Sequence, residues 1–351
     1  MLHLLFADPL PAWLCTLLAA ATAFALSLLV GPRLIAMLRR LKLQDGACTK
    51  ASETLAKLHE KSGKAATPTM GGVMIVLAFS GALLLWAPLS WPVLAGWIVV
   101  VGFGAVGLVD DRVKLLGKAR GVDGLKGRTR LALEFTIAAA ASLVLVLTSP
   151  AGPDAQTTIT LPLVGATLPL GGAWLLLAMV AIVGAANAAN LTDGLDGLAS
   201  GVVGVAATAI ALGGVLLVSA NTGGVNAQWA AIFAASLAGA CFGFLCFNAH
   251  PARVFMGDTG SLAIGAGLGY AALLARQEVL LVVIGGVLVI ETLSVILQVG
   301  SFKLTGRRIF RCAPIHHHFQ FMKWSETRIV RSFWLAGVAC AALGLALMLA
   351  V

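Results

Sequence analysis

The chain has 351 residues, of which 59% are hydrophobic and 11% are charged, and its formal net charge is +9. Soluble domains carry about 25% charged residues, so this composition, with a mean hydropathy of +0.96, excludes an ordinary soluble fold. Repeated apolar stretches of about 17 to 25 residues instead predict an all-α, polytopic membrane protein. We expect residues 1–351 to form one integral-membrane domain.

Ten apolar runs are long enough to be candidate membrane spans. The first run is too long for the apolar core of a signal peptide and has no basic stretch before it, so we interpret it as a true span. The predicted spans cover residues 12–38, 70–88, 93–109, 131–149, 172–189, 197–219, 228–247, 258–275, 279–302 and 330–350.

Basic residues concentrate in alternate loops. Residues 39–69, 110–130 and 303–331 hold seven Lys or Arg residues each, and with Arg253 they account for 22 of the 24 in the chain. The positive-inside rule places these loops in the cytoplasm, so both termini are predicted to be extracytoplasmic. In the opposite set of loops, the alternation of Thr157, Ile159 and Leu161 between prolines predicts a small external hairpin.

Five aspartates fall at cytoplasmic helix ends in this map. Asp110 and Asp111 directly follow an apolar run, where two adjacent carboxylates repel each other unless a cation or a shared proton lies near them. Asp193, Asp196 and Asp258 occupy similar positions. Because water reaches helix ends, carboxylates there need not be fully desolvated. The sequence therefore predicts that all five share one active-site cleft on the cytoplasmic face.

The segments around these acids allow two interpretations each. In residues 190–197, Asn190 and Thr192 are natural caps for a helix start, but four polar groups between two spans also indicate a functional site. Residues 256–261 are either a small-residue helix start or a turn that binds an anion. Phe255 beside them is either a lipid anchor or a stacking platform, and the residues alone favour the anchor.

Three consecutive histidines, His316, His317 and His318, lie in the last basic segment. A zinc site would need further Cys or His ligands at suitable spacing, and Cys312 alone is weak support. Contact with phosphate, or acid–base chemistry, fits better with the three arginines that precede the histidines.

Acidic side chains and basic loops at one membrane face indicate magnesium-assisted phosphate chemistry, since Mg²⁺ prefers oxygen ligands and substrate phosphates. The position at the interface predicts one water-soluble substrate and one lipid substrate. Glu134 and Glu291 lie inside apolar runs, and the sequence leaves open whether each pairs with a neighbouring helix or faces the site.

Six segments of the chain resemble the phospho-N-acetylmuramoyl-pentapeptide transferase family and occur in the order found in that family. The resemblance extends from about residue 40 to residue 335. The triple histidine, with residues 306–311 (GRRIFR) before it, favours this family over relatives that transfer GlcNAc-1-phosphate. The segments are 67–72 (TPTMGG), 110–111 (DD), 190–199 (NLTDGLDGLA), 247–261 (with FN, PA and VFMGDTGS), 291–298 (ETLSVILQ) and 314–319 (PIHHHF).

The resemblance implies an enzyme of the bacterial cytoplasmic (inner) membrane. Such an enzyme transfers phospho-MurNAc-pentapeptide from UDP to undecaprenyl phosphate with Mg²⁺, releasing UMP and forming lipid I, the first lipid-linked peptidoglycan precursor. The resemblance also implies a bent ninth span and a homodimer embedded in membrane lipid, with no nucleic-acid partner.

Site roles are implied in the same way. Asp258 matches the main metal ligand, and Asp110 and Asp111 match the acidic pair near the reacting phosphates, with Asp110 as the predicted base for the lipid phosphate. The histidines match catalytic positions in the same cleft. The positions that match substrate contacts are Thr69, Arg128, Asn190, Asp193, Asp196, Phe255 (as the uracil stacker) and Gln298.

Two other functions remain open. One is a related transferase that uses UDP-GlcNAc for another surface polymer. The other is an ion-coupled transporter, which predicts carboxylates near mid-membrane and internal repeats.

Overall fold

The computed structural model describes residues 10–41, 67–117, 124–162, 164–220 and 224–350. These residues are mostly helical, which confirms the all-α prediction. The helices are α1 (Ala12–Arg40), α2 (Gly72–Trp86), α3 (Trp91–Gly117), α4 (Gly127–Leu147), α5 (Pro153–Gln156), α6 (Ala173–Thr192), α7 (Leu198–Ser219), α8 (Gly224–Asn248), α9 (Gly257–Leu274), α10 (Leu280–Ile284), α11 (Gly286–Thr305), α12 (Ile315–Phe321) and α13 (Glu326–Leu349), and two short strands, β1 (Thr158–Leu161) and β2 (Ala166–Pro169), lie between α5 and α6.

Among the described residues, eight helices are long and apolar enough to cross a membrane, namely α1, α3, α4, α6, α7, α8, α11 and α13. They match eight predicted spans, while α2 is a shorter apolar helix and α9 has 18 residues. The predicted ninth span is divided at Gly285 into α10 and α11. The count of ten spans and the outward termini stay predictions. The basic residues between 42 and 66 lie outside the described residues.

Helix α9 is the centre of the helix bundle. Every residue from Thr259 to Leu274 is buried, and α3, α6 and α8 pack around the helix. Glycines allow this approach, since a Cβ on Gly107 would overlap the carbonyl oxygen of Asp258 and one on Gly265 would overlap that of Ala185. Close backbone packing through small residues is the usual way in which membrane helices associate.

The acidic segments all lie at one end of this bundle. Helices α3, α6, α8 and α11 end there, whereas α2, α4, α7, α9 and α13 begin there. The residues before α2 run beside the residues before α9, because the Phe255 N–H donates to the Pro68 carbonyl at 2.8 Å and the Gly71 N–H donates to the Phe255 carbonyl at 2.8 Å. These contacts close one side of the region where the aspartates gather.

The predicted hairpin is confirmed at the opposite end. β1 and β2 pair antiparallel, with Thr158 opposite Pro169. Arg276, which follows α9, donates from Nη2 to the Thr158 carbonyl oxygen at 2.6 Å and ties the hairpin to the bundle. Its predicted external position stays a prediction.

The close approach of α2 to α9 gives a stability prediction. A Cβ on Gly72 would overlap the backbone nitrogen and Cα of Gly260, and backbone cannot move aside as a flexible side chain can. We expect Gly72→Ala to lower the free energy of unfolding by about 1–3 kcal/mol, seen as a lower melting temperature in detergent. Gly300→Ala on α11 is the control, because nothing lies within 4 Å of its added Cβ. Equal melting temperatures for the two variants would contradict the tight α2–α9 contact.

Candidate active site

A polar cavity of about 260 Å³ lies at the acidic end of the bundle. Seven of the predicted site residues line it, and Phe255 is among them, half-buried, so its position fits a stacking platform better than a lipid anchor. The lining consists of Thr69, Asp111, Lys114, Asn190, Asp193, Gly194, Leu195, Asp196, Asn248, Phe255, Met256, Gly257 and Asp258.

Asp258 accepts hydrogen bonds from three side chains of this cavity. It is the second residue of α9, and its Oδ2 accepts from Lys114 Nζ and Arg130 Nη1, each at 2.9 Å. Its Oδ1 accepts from Asn190 Nδ2 at 2.9 Å. Three different helices thus supply donors to one largely buried carboxylate, and two of the donors carry positive charge.

The adjacent pair Asp110 and Asp111 has two separate sets of partners. Asp110 Oδ2 lies 2.7 Å from Lys114 Nζ, so this ammonium bridges Asp110 and Asp258. Asp111 instead accepts from the backbone N–H groups of Asp258 and Thr259, each at 3.0 Å, and from Thr259 Oγ1 at 2.7 Å. Asp111 therefore satisfies the free N–H groups at the start of α9, where a helix favours negative charge.

Arg130 joins the cavity to a buried acid that the sequence could not assign. Its Nε donates to Glu134 Oε1 at 2.9 Å, and its Nη2 donates to Asn187 Oδ1 at 3.0 Å. Asn187 Nδ2 donates in turn to Glu134 Oε2 at 2.7 Å. Glu134 therefore pairs with its own helix and with α6. From the sequence, Lys114 and Arg130 were used only to orient the chain in the membrane. In each of the two helices, however, an acidic and a basic residue lie four positions apart, a spacing that favours an ion pair.

Residues 190–197 are not a side-chain-capped helix start. The N-cap of α7 is Gly197, which has positive φ and no capping side chain. Asn190 instead donates to Asp258 and, at 2.9 Å, to Ser261 Oγ, and Thr192 donates to a carbonyl of its own helix. Asn190, Asp193 and Asp196 of this segment therefore line the cavity, whereas Thr192 bonds within its own helix.

Asp196 also belongs to a second polar group. Its Oδ2 lies 3.0 Å from His250 Nδ1 and accepts from the Ala252 N–H at 3.2 Å, while its own N–H donates to Glu326 Oε1 at 2.9 Å. Ligand-type atoms of Asp196, His250 and Glu326 lie within 4.8 Å of one another, so this group has the spacing of a metal-binding site.

His316 lies directly beneath the cavity wall. It is fully buried, and its Nδ1 is 3.1 Å from Oε1 of the equally buried Glu291. Its Nε2 faces Gly194, at which a Cβ would overlap the imidazole ring. Glu291 therefore pairs with the histidine segment, and Gly194 must be a glycine for the wall to close over the ring.

The other predicted positions do not line the cavity. His317 Nδ1 lies 2.7 Å from Gln320 Oε1, and His318 Nδ1 accepts a backbone N–H at 3.1 Å. Gln298 binds both the N–H and the carbonyl of Phe310, each at 2.9 Å. Arg128 is exposed and has no hydrogen bond or ion pair to the residues that the structure describes. The structure therefore brings the acids, Asn190, Phe255 and Thr69 together, and leaves these four outside.

The Arg130 pairings give a prediction about stability. Arg130→Gln leaves Glu134 buried without its cation, and breaking a buried ion pair in this way costs about 3–5 kcal/mol. We expect a clearly lower melting temperature for Arg130→Gln and a near-normal one for the control Arg128→Gln. The double variant Arg130→Gln, Glu134→Gln should lose less free energy of unfolding than the sum of the losses in the single variants Arg130→Gln and Glu134→Gln. Strict additivity would show that the two residues do not interact.

The comparisons with known proteins identify the family of the chain. Residues 93–276 match the model of glycosyl transferase family 4. A phospho-N-acetylmuramoyl-pentapeptide-transferase from Desulforudis audaxviator (strain MP104C) is 44% identical over 340 residues, covering 94% of this chain and 97% of that protein. One of the same name from Heliobacterium modesticaldum (strain ATCC 51547 / Ice1) is 45% identical over 336 residues, covering 95% and 98%. The chain therefore belongs to the phospho-N-acetylmuramoyl-pentapeptide-transferase family, and it is a multi-pass transferase of the bacterial inner membrane.

Proposed function

We propose that the polar cavity is the place where this transferase moves phospho-MurNAc-pentapeptide from UDP to undecaprenyl phosphate, forming lipid I and releasing UMP. The observation that carries the proposal is the meeting of Asp110, Asp111 and Asp258 with Lys114 and Arg130 at one end of the bundle. Transfer between two phosphates requires their charges to be neutralised and aligned, and this cluster offers the means.

One wall of the cavity suits the nucleoside. Asp193 and Asp196 present carboxylates, which accept hydrogen bonds from ribose hydroxyls. Phe255 offers a ring face on the same cavity, and a pyrimidine stacks on such a face at a gain of about 1–3 kcal/mol. We therefore assign the uridine to the wall formed by residues 193–196 and 255.

The charges of the site fit one magnesium ion. Four carboxylates, from Asp110, Asp111, Glu134 and Asp258, are tied together with the two cations Lys114 and Arg130, which leaves an excess of two negative charges. Oxygen donors are the ligands that Mg²⁺ prefers. Asp258, with Asp111 beside it, would hold the ion, which when bound would neutralise the diphosphate of the sugar nucleotide.

The lipid phosphate attacks the phosphorus attached to the sugar, and the bond from that phosphorus to the UMP oxygen breaks. A phosphate monoester loses its second proton with a pKa of about 6, so the lipid phosphate is largely a dianion near neutral pH, and Asp110 is the acceptor that we propose for a remaining proton. Direct attack fits better than a covalent intermediate on these acids. A covalent bond to phosphorus would displace the three hydrogen bonds that Asp111 accepts or the ion pair of Asp110 with Lys114.

An apolar groove of about 300 Å³ suits the prenyl chain of the lipid substrate. It lies between α6 and α10–α11, and Ala188, Val282 and Val289 are among its lining residues. Ala188 is two residues before Asn190, whose side chain reaches Asp258. A chain lying in this groove would therefore bring its phosphate to the acidic cluster.

The remaining assignments follow from charge and resemblance. From the basic residues around the cavity we assign this end of the bundle to the cytoplasm, where the sugar nucleotide is available. We assign the whole chain to one transferase domain. The homodimer stays a prediction, since the structure contains one chain.

Turnover by the purified protein tests the function. We expect UMP release and a lipid product from UDP-MurNAc-pentapeptide, undecaprenyl phosphate and Mg²⁺, and no turnover after chelation of the metal. Asp258→Asn should abolish the reaction, whereas the control Asp154→Asn, an exposed acid in α5 at the other end, should not. UMP release only from UDP-GlcNAc would support the rival transferase, and normal turnover by Asp258→Asn would refute the role of this acid.

Steady-state kinetics test the prenyl groove. Val282 is 57% exposed, so Val282→Trp fills the groove without disturbing the core. We expect a severalfold higher KM for undecaprenyl phosphate and an unchanged KM for the sugar nucleotide. Leu17→Trp on α1, at a similarly exposed apolar position, is the control. The assignment is wrong if both variants behave alike.

A further inference from the structure

A second apolar groove lies on the flank of the bundle formed by α7, α8 and α13. Its volume is about 450 Å³, and its lining, which includes Gly201, Phe242, Leu245, Trp334 and Val338, has almost no polar surface. None of its residues belongs to the groove between α6 and α11 that we assign to the prenyl chain. The two grooves are therefore separate sites.

One basic side chain, that of Arg331, lies at this groove. Arg331 lines it and is exposed, and among the residues that the structure describes no hydrogen bond or ion pair engages its guanidinium. It is the sixth residue of α13, whose first turn lies at the cavity end of the bundle. An unpaired guanidinium at the end of a membrane span, above an apolar groove, is placed to bind the headgroup of an anionic lipid.

We infer that this groove binds an anionic phospholipid, with an acyl chain between α7, α8 and α13 and the phosphate on Arg331. The charge complementarity favours an anionic lipid over a zwitterionic one, because each basic residue near an anionic membrane surface contributes about 1 kcal/mol. A planar guanidinium also matches a phosphate with two parallel hydrogen bonds.

The groove is connected to the cavity through Trp334. The indole Nε1 donates to the Gly197 carbonyl oxygen at 3.1 Å, and the ring packs on Gly201, where a Cβ would overlap it. Gly197 directly follows Asp196, which lines the cavity. A lipid that packs against Trp334 therefore supports the turn that carries Asp193 and Asp196, and we assign it a stabilising effect on that turn.

Lipid retention tests this inference without turnover. The whole protein is reconstituted in nanodiscs of phosphatidylcholine with or without phosphatidylglycerol, released, and its bound lipids are identified by native mass spectrometry. We expect the natural protein to retain phosphatidylglycerol preferentially and Arg331→Gln to retain about fivefold less. Lys303→Gln, which removes an exposed cation outside the groove, is the matched control. Val338→Trp should reduce retention of either lipid by filling the groove.

Three results would overturn the inference. The first is equal retention of phosphatidylglycerol by Arg331→Gln and the natural protein. This comparison requires that the two proteins have the same melting temperature in phosphatidylcholine, which shows that the variant is folded. The second is a raised KM for undecaprenyl phosphate in Arg331→Gln with unchanged retention, which would give the groove to the lipid substrate. The third is cross-linking of two chains through cysteines placed at position 335, since Leu335 lines the groove and a second copy would then cover it. Loss of turnover alone bears on the proposed function and not on this groove.

Discussion

The pairing of Asp258 with Lys114 and Arg130 is the constraint on which this structure depends. Helix α9 is buried along nearly its whole length, and its second residue, Asp258, carries a carboxylate. An uncompensated charge at that position would cost several kilocalories per mole, whereas two cations and an amide from three surrounding helices compensate it. The central helix can therefore be buried only while α3, α4 and α6 hold their present positions around its first turn.

The hydrogen bonds and ion pairs that compensate the buried carboxylate of Asp258 also hold the polar side chains of the site together. Glycines bring the backbones of α2, α3 and α6 against α9, so short side chains such as Asp111 and Asn190 reach its first residues. Each helix contributes few polar groups, and no single segment contains the site. This arrangement explains why the acids lie at helix ends, because only there do several helices and water meet.

Apolar run length and charge were sufficient to predict the eight long helices and the gathering of the five acids at one end. They could not assign partners, since the direction of a side chain depends on the rotation of each helix about its axis. Arg130 rather than Arg128 reaches Asp258 for this reason, and His316 is enclosed beneath Gly194 rather than open to the cavity. Hydropathy also treats all spans alike, although α9 faces protein on every side and its composition includes five glycines.

The side chains of the site differ in conformational freedom, and this difference fits the different roles that we assign to them. Asp111 and Arg130 are held by several bonds each and fix the framework, whereas the Lys114 side chain is 42% exposed while it bridges Asp110 and Asp258. A flexible lysine can follow a phosphate that enters the cavity, because its ammonium is a point charge on a long stem. When the lysine moves, Asp110 loses its cation, while Asp258 keeps the guanidinium of Arg130. The fixed bonds therefore hold the framework of the cluster, and the lysine is the part of it that can adjust to an anion.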